Sequence, residues 1–326
     1  MTAQGVFLVV VALTAACNRP RTTPASLPAA AESTSRVVGS PSSSVAPLSS
    51  APIPTFTELT WRYESSPLGP SEVVVLTPAG ATKENPLPVL VAFHGRGESL
   101  KGPKLGARGW ADDYAIGTTV NRLGKPPLTA EDFLGFISEE RLARLNADLA
   151  ARPYGGLIVV CPFLSDALHG DRAFSDGPLL AKFIVEDILQ RVYRETPAIG
   201  TPKTTAVDGV SLGGRAALLV GLSRPEAFGS VGALQPAIDG DETSRFAQLA
   251  KTANVKNPEL KVRLLTSDGD YFLEPTLALA HGLDVRGVPH VVDVVTGPHS
   301  YEFNRGPGGY EMLLFHDRVL RGQSGL

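Results

Sequence analysis

Thr205-Ala206-Val207-Asp208-Gly209-Val210-Ser211-Leu212-Gly213-Gly214 is the stretch that decides how the rest of the chain is read. An apolar segment at 204–207 runs into Gly-x-Ser-x-Gly, and helical periodicity continues from Gly213 to Ser223. A serine placed between a strand and a helix fits a nucleophile turn, which requires that order of elements. The glycines have a physical reason. The serine must take a strained backbone conformation, and side chains two residues to either side would collide with the strand and the helix. Ser211 is therefore expected to project from the C-terminal edge of a sheet. The start of the helix adds a field that favours developing negative charge.

Working outward, strand candidates lie at 56–63, 72–77, 88–93, 157–161, 204–207, 230–234, 261–266 and 290–295. Several are short and continuously apolar, as expected of strands covered on both faces. Helical periodicity falls between them at 179–196, 213–223, 242–252, 273–283 and 309–320. This alternation predicts an α/β fold with a mostly parallel sheet and helices on both faces. The first two strands have no helix between them and are expected to form an antiparallel edge.

A serine hydroxyl is a poor nucleophile without a base. His299 fits best among the six histidines, because it follows the strand at 290–295 in the last loop before the final helix. His281, His290 and His316 read as structural, and His169 lies in a loop that could border the pocket. An acid should orient the imidazole and compensate its charge. Asp270 is favoured, because a turn made by Asp268-Gly269 would carry the chain out beyond its strand; Asp268 is the alternative. Phe93-His94-Gly95-Arg96 closes the strand at 88–93. The Arg96 amide, or alternatively that of Gly95, is expected to share an oxyanion hole with the amide of Leu212, the residue after the nucleophile.

His94-Gly95, the Gly209–Gly214 turn and Gly297-Pro298-His299-Ser300-Tyr301-Glu302-Phe303 together resemble the bacterial esterase branch of the α/β-hydrolase superfamily, over residues 56–326. Esterase D, feruloyl and acetyl-xylan esterases, siderophore esterases and mycolyltransferases belong to that branch. The resemblance implies ester hydrolysis through Ser211, Asp270 and His299 by way of an acyl-enzyme, on a small-molecule or saccharide ester, with no metal or organic cofactor. A peptidase or an acyltransferase would share the same acyl-enzyme. A tethered binding module with a silent hydrolase fold is a reading of a different class. His94, Trp110, Phe163, Tyr271 and Tyr301 are pocket candidates, each also compatible with ordinary packing. Asp166, His169 and Asp171 could suggest a metal, but read better as a polar loop near the pocket. The segment 95–156 is long, with helical periodicity at 129–151; it is either a lid or extra surface helix.

The chain has 326 residues and a formal net charge of −3, so no basic surface announces a nucleic-acid partner. Two cysteines, Cys17 and Cys161, are too few for a disulfide framework or a Cys-rich zinc site. Cys161 ends an apolar strand and reads as a small buried hydrophobe. Residues 6–16 form an uncharged apolar run, too short to span a bilayer and of the length of an export signal. The small residues before Cys17 resemble the bacterial lipoprotein lipobox, in which the cysteine receives lipid. Of the 38 residues 18–55, 26 are Ser, Pro, Ala or Thr, which predicts a disordered tether. The expected arrangement is thus an exported hydrolase domain, 56–326, anchored by lipid at the cell envelope on its outer-membrane or periplasmic face.

Overall fold

The computed structural model describes residues 56–170 and 172–323. The expected export signal, Cys17, the tether at 18–55 and Asp171 lie outside the described residues. Eight strands form one sheet: β1 Phe56–Tyr63, β2 Ser71–Pro78, β3 Val89–Phe93, β4 Ile158–Pro162, β5 Thr205–Gly209, β6 Ser230–Leu234, β7 Lys261–Gly269 and β8 Val291–Pro298. Their order is β1-β2-β4-β3-β5-β6-β7-β8. β1 pairs antiparallel with β2, and β2 with β4; the pairs from β4 to β8 are parallel. All eight strands fall where periodicity places them, and the leading pair is the expected antiparallel edge.

Alternation along the strands separates two cores. Val89, Val91 and Phe93 pack on one face with the helices at 173–195, Leu212–Ser223, Thr243–Lys256 and Leu273–Val285. Leu90 and Ala92 point to the other face, with Trp110, Phe133, Leu145, Leu149 and the final helix Gly309–Leu320. Successive residues of a strand face opposite ways, so a central strand that is apolar throughout must be covered on both sides. Cys161 is buried in the second core.

Three local expectations change. The helix expected at 179–196 begins at Ala173, passes Pro178 and widens into a π-type turn at Ile184–Ile188. The periodic stretch 129–151 is two elements, a 3-10 turn Ala130–Phe133 and a helix Glu139–Ala151 that Ser138 caps through the Arg141 amide. Leu134, at φ 53°, ends the first of them. Finally, Asp268-Gly269 does not leave the sheet as a turn. β7 continues through a bulge to Gly269, which pairs with Pro298 of β8. The apolar side chains of 95–156 are built into the second core, and from this segment the Ser211 cleft takes only Gly95–Glu98 and Tyr114.

Beneath β5 lies a buried polar chain. His316 of the last helix donates from Nε2 to Asp208 Oδ2 at 2.8 Å, and the Ser230 hydroxyl meets its Nδ1 at 2.8 Å. Asp208 Oδ1 also accepts the Gly209 amide at 2.6 Å. Gly232 leaves the space for this carboxylate; a methyl group there would overlap Asp208 Oδ2. Gly232→Ala is therefore expected to destabilise the fold by about 3–5 kcal/mol, the range for breaking a buried charged network. Urea unfolding monitored by far-ultraviolet circular dichroism checks this, and a change below about 1 kcal/mol contradicts it.

Candidate active site

β5 is central, paired on both sides, and its chain turns sharply at Ser211 into the helix Leu212–Ser223. Ser211 sits at φ 56°, ψ −117°, a conformation that costs a non-glycine residue roughly 1–3 kcal/mol. Surrounding hydrogen bonds hold it there. Its amide donates to the Leu234 carbonyl at 2.9 Å, and its carbonyl accepts from the Ala237 amide at 2.9 Å. Gly213 passes so close to β3 that a Cβ would run into the Phe93 and His94 carbonyl oxygens. The turn is thus braced against both neighbouring strands.

The ends of β7 and β8 bring the other two expected residues to this serine. His299 Nε2 lies 3.0 Å from Ser211 Oγ, and His299 Nδ1 lies 2.7 Å from Asp270 Oδ1. Asp270 is buried and further oriented, with Oδ2 accepting from the Thr266 hydroxyl at 2.6 Å and Oδ1 from the Phe272 amide at 3.0 Å. Asp268 does something else: its Oδ1 accepts the Gly297 amide at 3.0 Å, fastening β7 to β8 just before the histidine. The rings of Tyr271 and Phe272 lie 5.2 and 5.5 Å from the imidazole.

The Gly95 amide is not free to hold an oxyanion, because it donates to the Tyr114 hydroxyl at 3.0 Å. Among the described residues, the Arg96 and Leu212 amides donate to no backbone carbonyl, and each opens a helix beside Ser211. The Arg96 side chain turns away, forming a bidentate pair with Asp166 at 2.7 and 3.1 Å. Asp166 is therefore an ion-pair partner, and His169 is exposed and does not line the cleft. Among the described residues, no group of three or more His, Cys, Asp or Glu side chains could hold a metal ion.

The cleft beside Ser211 has a volume of about 170 Å³. Of the expected pocket residues it takes Tyr301 and leaves out four. Trp110 is wholly buried behind the turn at Gly95, its Nε1 donating to the Phe93 carbonyl at 3.1 Å. Phe163 packs beside His94, with ring centres 5.6 Å apart. His94 itself is buried, with Nδ1 donating to the Gly95 carbonyl and Nε2 accepting from the Leu164 amide, both at 2.9 Å. Tyr271 lies outside the lining, 79 % exposed, with its ring against the His299 imidazole.

Sequence reasoning missed Glu98, Tyr114, Gln235, Ser300 and Asn304, all of which line this cleft. The Glu98 carboxylate is buried and accepts from two phenols, Tyr114 and Tyr301, the latter at 2.6 Å. Burial, and then the Glu98 carboxylate, raise the Tyr301 phenol to about 12 and hold Tyr114 well above the ordinary range. Both phenols thus remain donors at neutral pH. Glu98 joins the turn after β3 to the loop carrying His299 across 203 residues of sequence. Gln235 follows β6 at the C-terminal sheet edge, where α/β proteins bind ligands; that position was its only sequence signal.

A family model described as "Putative esterase" matches residues 172–303, which include Ser211, Asp270 and His299. A solved ferulic acid esterase is 18 % identical, with a TM-score of 0.59 over 81 % of this chain and 98 % of its own. An S-formylglutathione hydrolase from Staphylococcus aureus is 14 % identical, with a TM-score of 0.57 over 80 % of this chain and 96 % of its own. A ferulic acid esterase from Anaeromyces mucronatus is 14 % identical, with a TM-score of 0.53 over 83 % and 93 %. No curated protein matches the sequence significantly. At these identities the likeness is one of fold, and the chain has the mixed α/β fold of the α/β-hydrolase esterases.

His94 generates a pH dependence. Burial pushes its ring from 6.5 down to about 4, against which the Gly95 carbonyl acts only in part. The unfolded chain takes up this proton below about pH 6.5, the folded chain only near pH 4, so stability falls as pH drops through that window. The loss attributable to His94 reaches roughly 3 kcal/mol. Urea midpoints at pH 7, 5.5 and 4.5 are expected to decline less in His94→Gln than in the wild type; parallel declines would contradict it.

Proposed function

We propose that the chain is a serine esterase that cleaves small carboxylic esters through an acyl-enzyme on Ser211. The observation that carries this reading is the unbroken sequence Asp270, His299, Ser211, with contacts of 2.7 and 3.0 Å, at a serine held at φ 56°. The esterase family model and the esterase names of the structures sharing the fold support it.

The geometry serves this reaction as follows. Ser211 Oγ adds to the ester carbonyl carbon, and its proton passes to His299 Nε2. Asp270 compensates the resulting imidazolium and keeps Nδ1 protonated. The oxyanion forms between the Arg96 and Leu212 amides. Fixed donors at that point are worth about 10²–10³ in turnover each. The C–O bond to the alcohol then breaks, and His299 delivers its proton to the departing oxygen. Water next gives a proton to His299 and attacks the acyl carbon. The proton returns to Ser211 Oγ as the acid leaves.

We further propose export and lipid anchoring through Cys17, supported by the apolar run at 6–16 and the small residues before that cysteine. In detergent phase partitioning of cell extracts, Cys17→Ala is expected to move the protein to the aqueous phase, and unchanged partitioning would overturn the anchor.

A fluorophosphonate probe is expected to label the folded protein, and Ser211→Ala to abolish the labelling. Asp270→Ala is expected to lower kcat on a nitrophenyl ester by about 10⁴, and Asp268→Ala by far less. Folded protein that takes no label would favour a silent binding module. Loss of activity in Asp268→Ala alone would reverse the choice of acid.

A further inference from the structure

Gln235 is built for a purpose that the steps above do not use. It is wholly buried and sits at φ 42°, a left-handed conformation unusual for a side chain of this size. Its own amide donates to the Leu265 carbonyl at 2.6 Å, which fixes the residue between β6 and β7. Its side-chain Nε2 donates to Ser267 Oγ at 2.6 Å and to the Pro298 carbonyl at 3.1 Å. A carbonyl can only accept, so these contacts fix which end of the amide faces the protein. The other end, Oε1, is buried without a partner among the described residues.

One more unpartnered polar atom belongs to the same cleft: Asn304 Oδ1, on a residue 7 % exposed. Two such atoms beside one reactive serine are unusual, because leaving a buried acceptor unmet is costly. Their location indicates which part of the substrate meets them. His299 Nε2 must deliver its proton to the departing alcohol oxygen, so the alcohol lies on the His299 side of the cleft. Asn304 follows His299 in sequence, and Gln235 is held by Pro298, which precedes it.

We propose that Gln235, with Asn304, is a specificity determinant that accepts a hydrogen bond from a hydroxyl on the leaving alcohol, so that the preferred substrates are monoesters of alcohols bearing a neighbouring hydroxyl. This rests on the ester-hydrolysis reading of the same site. A site whose buried acceptors await a donor rejects the analogue that lacks it, since binding that analogue leaves the acceptors dry.

The test compares 2-hydroxyethyl butyrate with propyl butyrate, which replaces the hydroxyl by a methyl group. Wild-type kcat/KM is expected to favour the hydroxyl ester by about 10- to 100-fold. In Gln235→Met, and separately in Asn304→Ala, the ratio is expected to fall, to within about threefold of one for Gln235→Met. Fluorophosphonate labelling of Ser211 in each variant shows that the site is intact. A wild-type ratio near or below one overturns the proposal without reference to any variant. So does a preference that persists undiminished in both labelled variants. Labelled protein that hydrolyses propyl butyrate without preferring the hydroxyl ester refutes this subsite and leaves the esterase standing. Folded protein that takes no label and hydrolyses neither ester refutes both.

Discussion

The geometry of the site depends on the close passage of the turn after β5 across the end of β3. Gly213 lies where no side chain fits, against the Phe93 and His94 carbonyls, and Val210 donates to Phe93 at 3.2 Å. That contact sets the angle at which the helix Leu212–Ser223 leaves the sheet. The angle in turn forces Ser211 into its strained conformation and aims the Leu212 amide at the same space. One close backbone approach therefore places the serine, one amide donor and the neighbouring turn of the second donor together. The strain is paid for by the apolar helix behind it, which is buried along almost its whole length.

A second constraint is electrostatic. A single buried carboxylate, Glu98, receives both Tyr114 and Tyr301. Tyr114 in turn takes up the Gly95 amide, which leaves Arg96 as the donor from that turn. Tyr301 lies two residues beyond His299, so the same carboxylate fixes the loop carrying the imidazole. Lys101 approaches Glu98 at 3.5 Å and Asp113 at 2.8 Å, so the acid is not left as an isolated charge. Asp268 performs a comparable service with a backbone partner, tying Gly297 to β7 ahead of His299.

The local patterns that were legible in the sequence share one physical basis. Central strands covered on both faces are rich in apolar residues, as β3 and β5 are, and Ser211, Asp270 and His299 each follow the end of a strand that periodicity marks. What escaped reading depended on distant partners. Gly177-Pro178 and Asp268-Gly269 have the composition of breakers, yet a helix runs through the first and a bulged strand through the second, because packing and pairing overrode local preference. Trp110, Phe163 and His94 are the right residue types for a pocket, but the turn at Gly95 places them behind it. Glu98 meets Tyr301 across most of the domain, and no spacing rule foreshadows that meeting.

Ser211 and His299 hang from unequal supports. β5 is hydrogen-bonded on both sides, whereas β8 is the last strand of the sheet and pairs only with β7. Fraying of an edge strand requires far less free energy than opening the centre of a sheet. The ties from Asp268 to Gly297, from Gln235 to Pro298 and from Glu98 to Tyr301 therefore stand in for the neighbour that β8 lacks on its outer side. The imidazole at the sheet's edge is thus held by side chains where the serine at its centre is held by strand pairing.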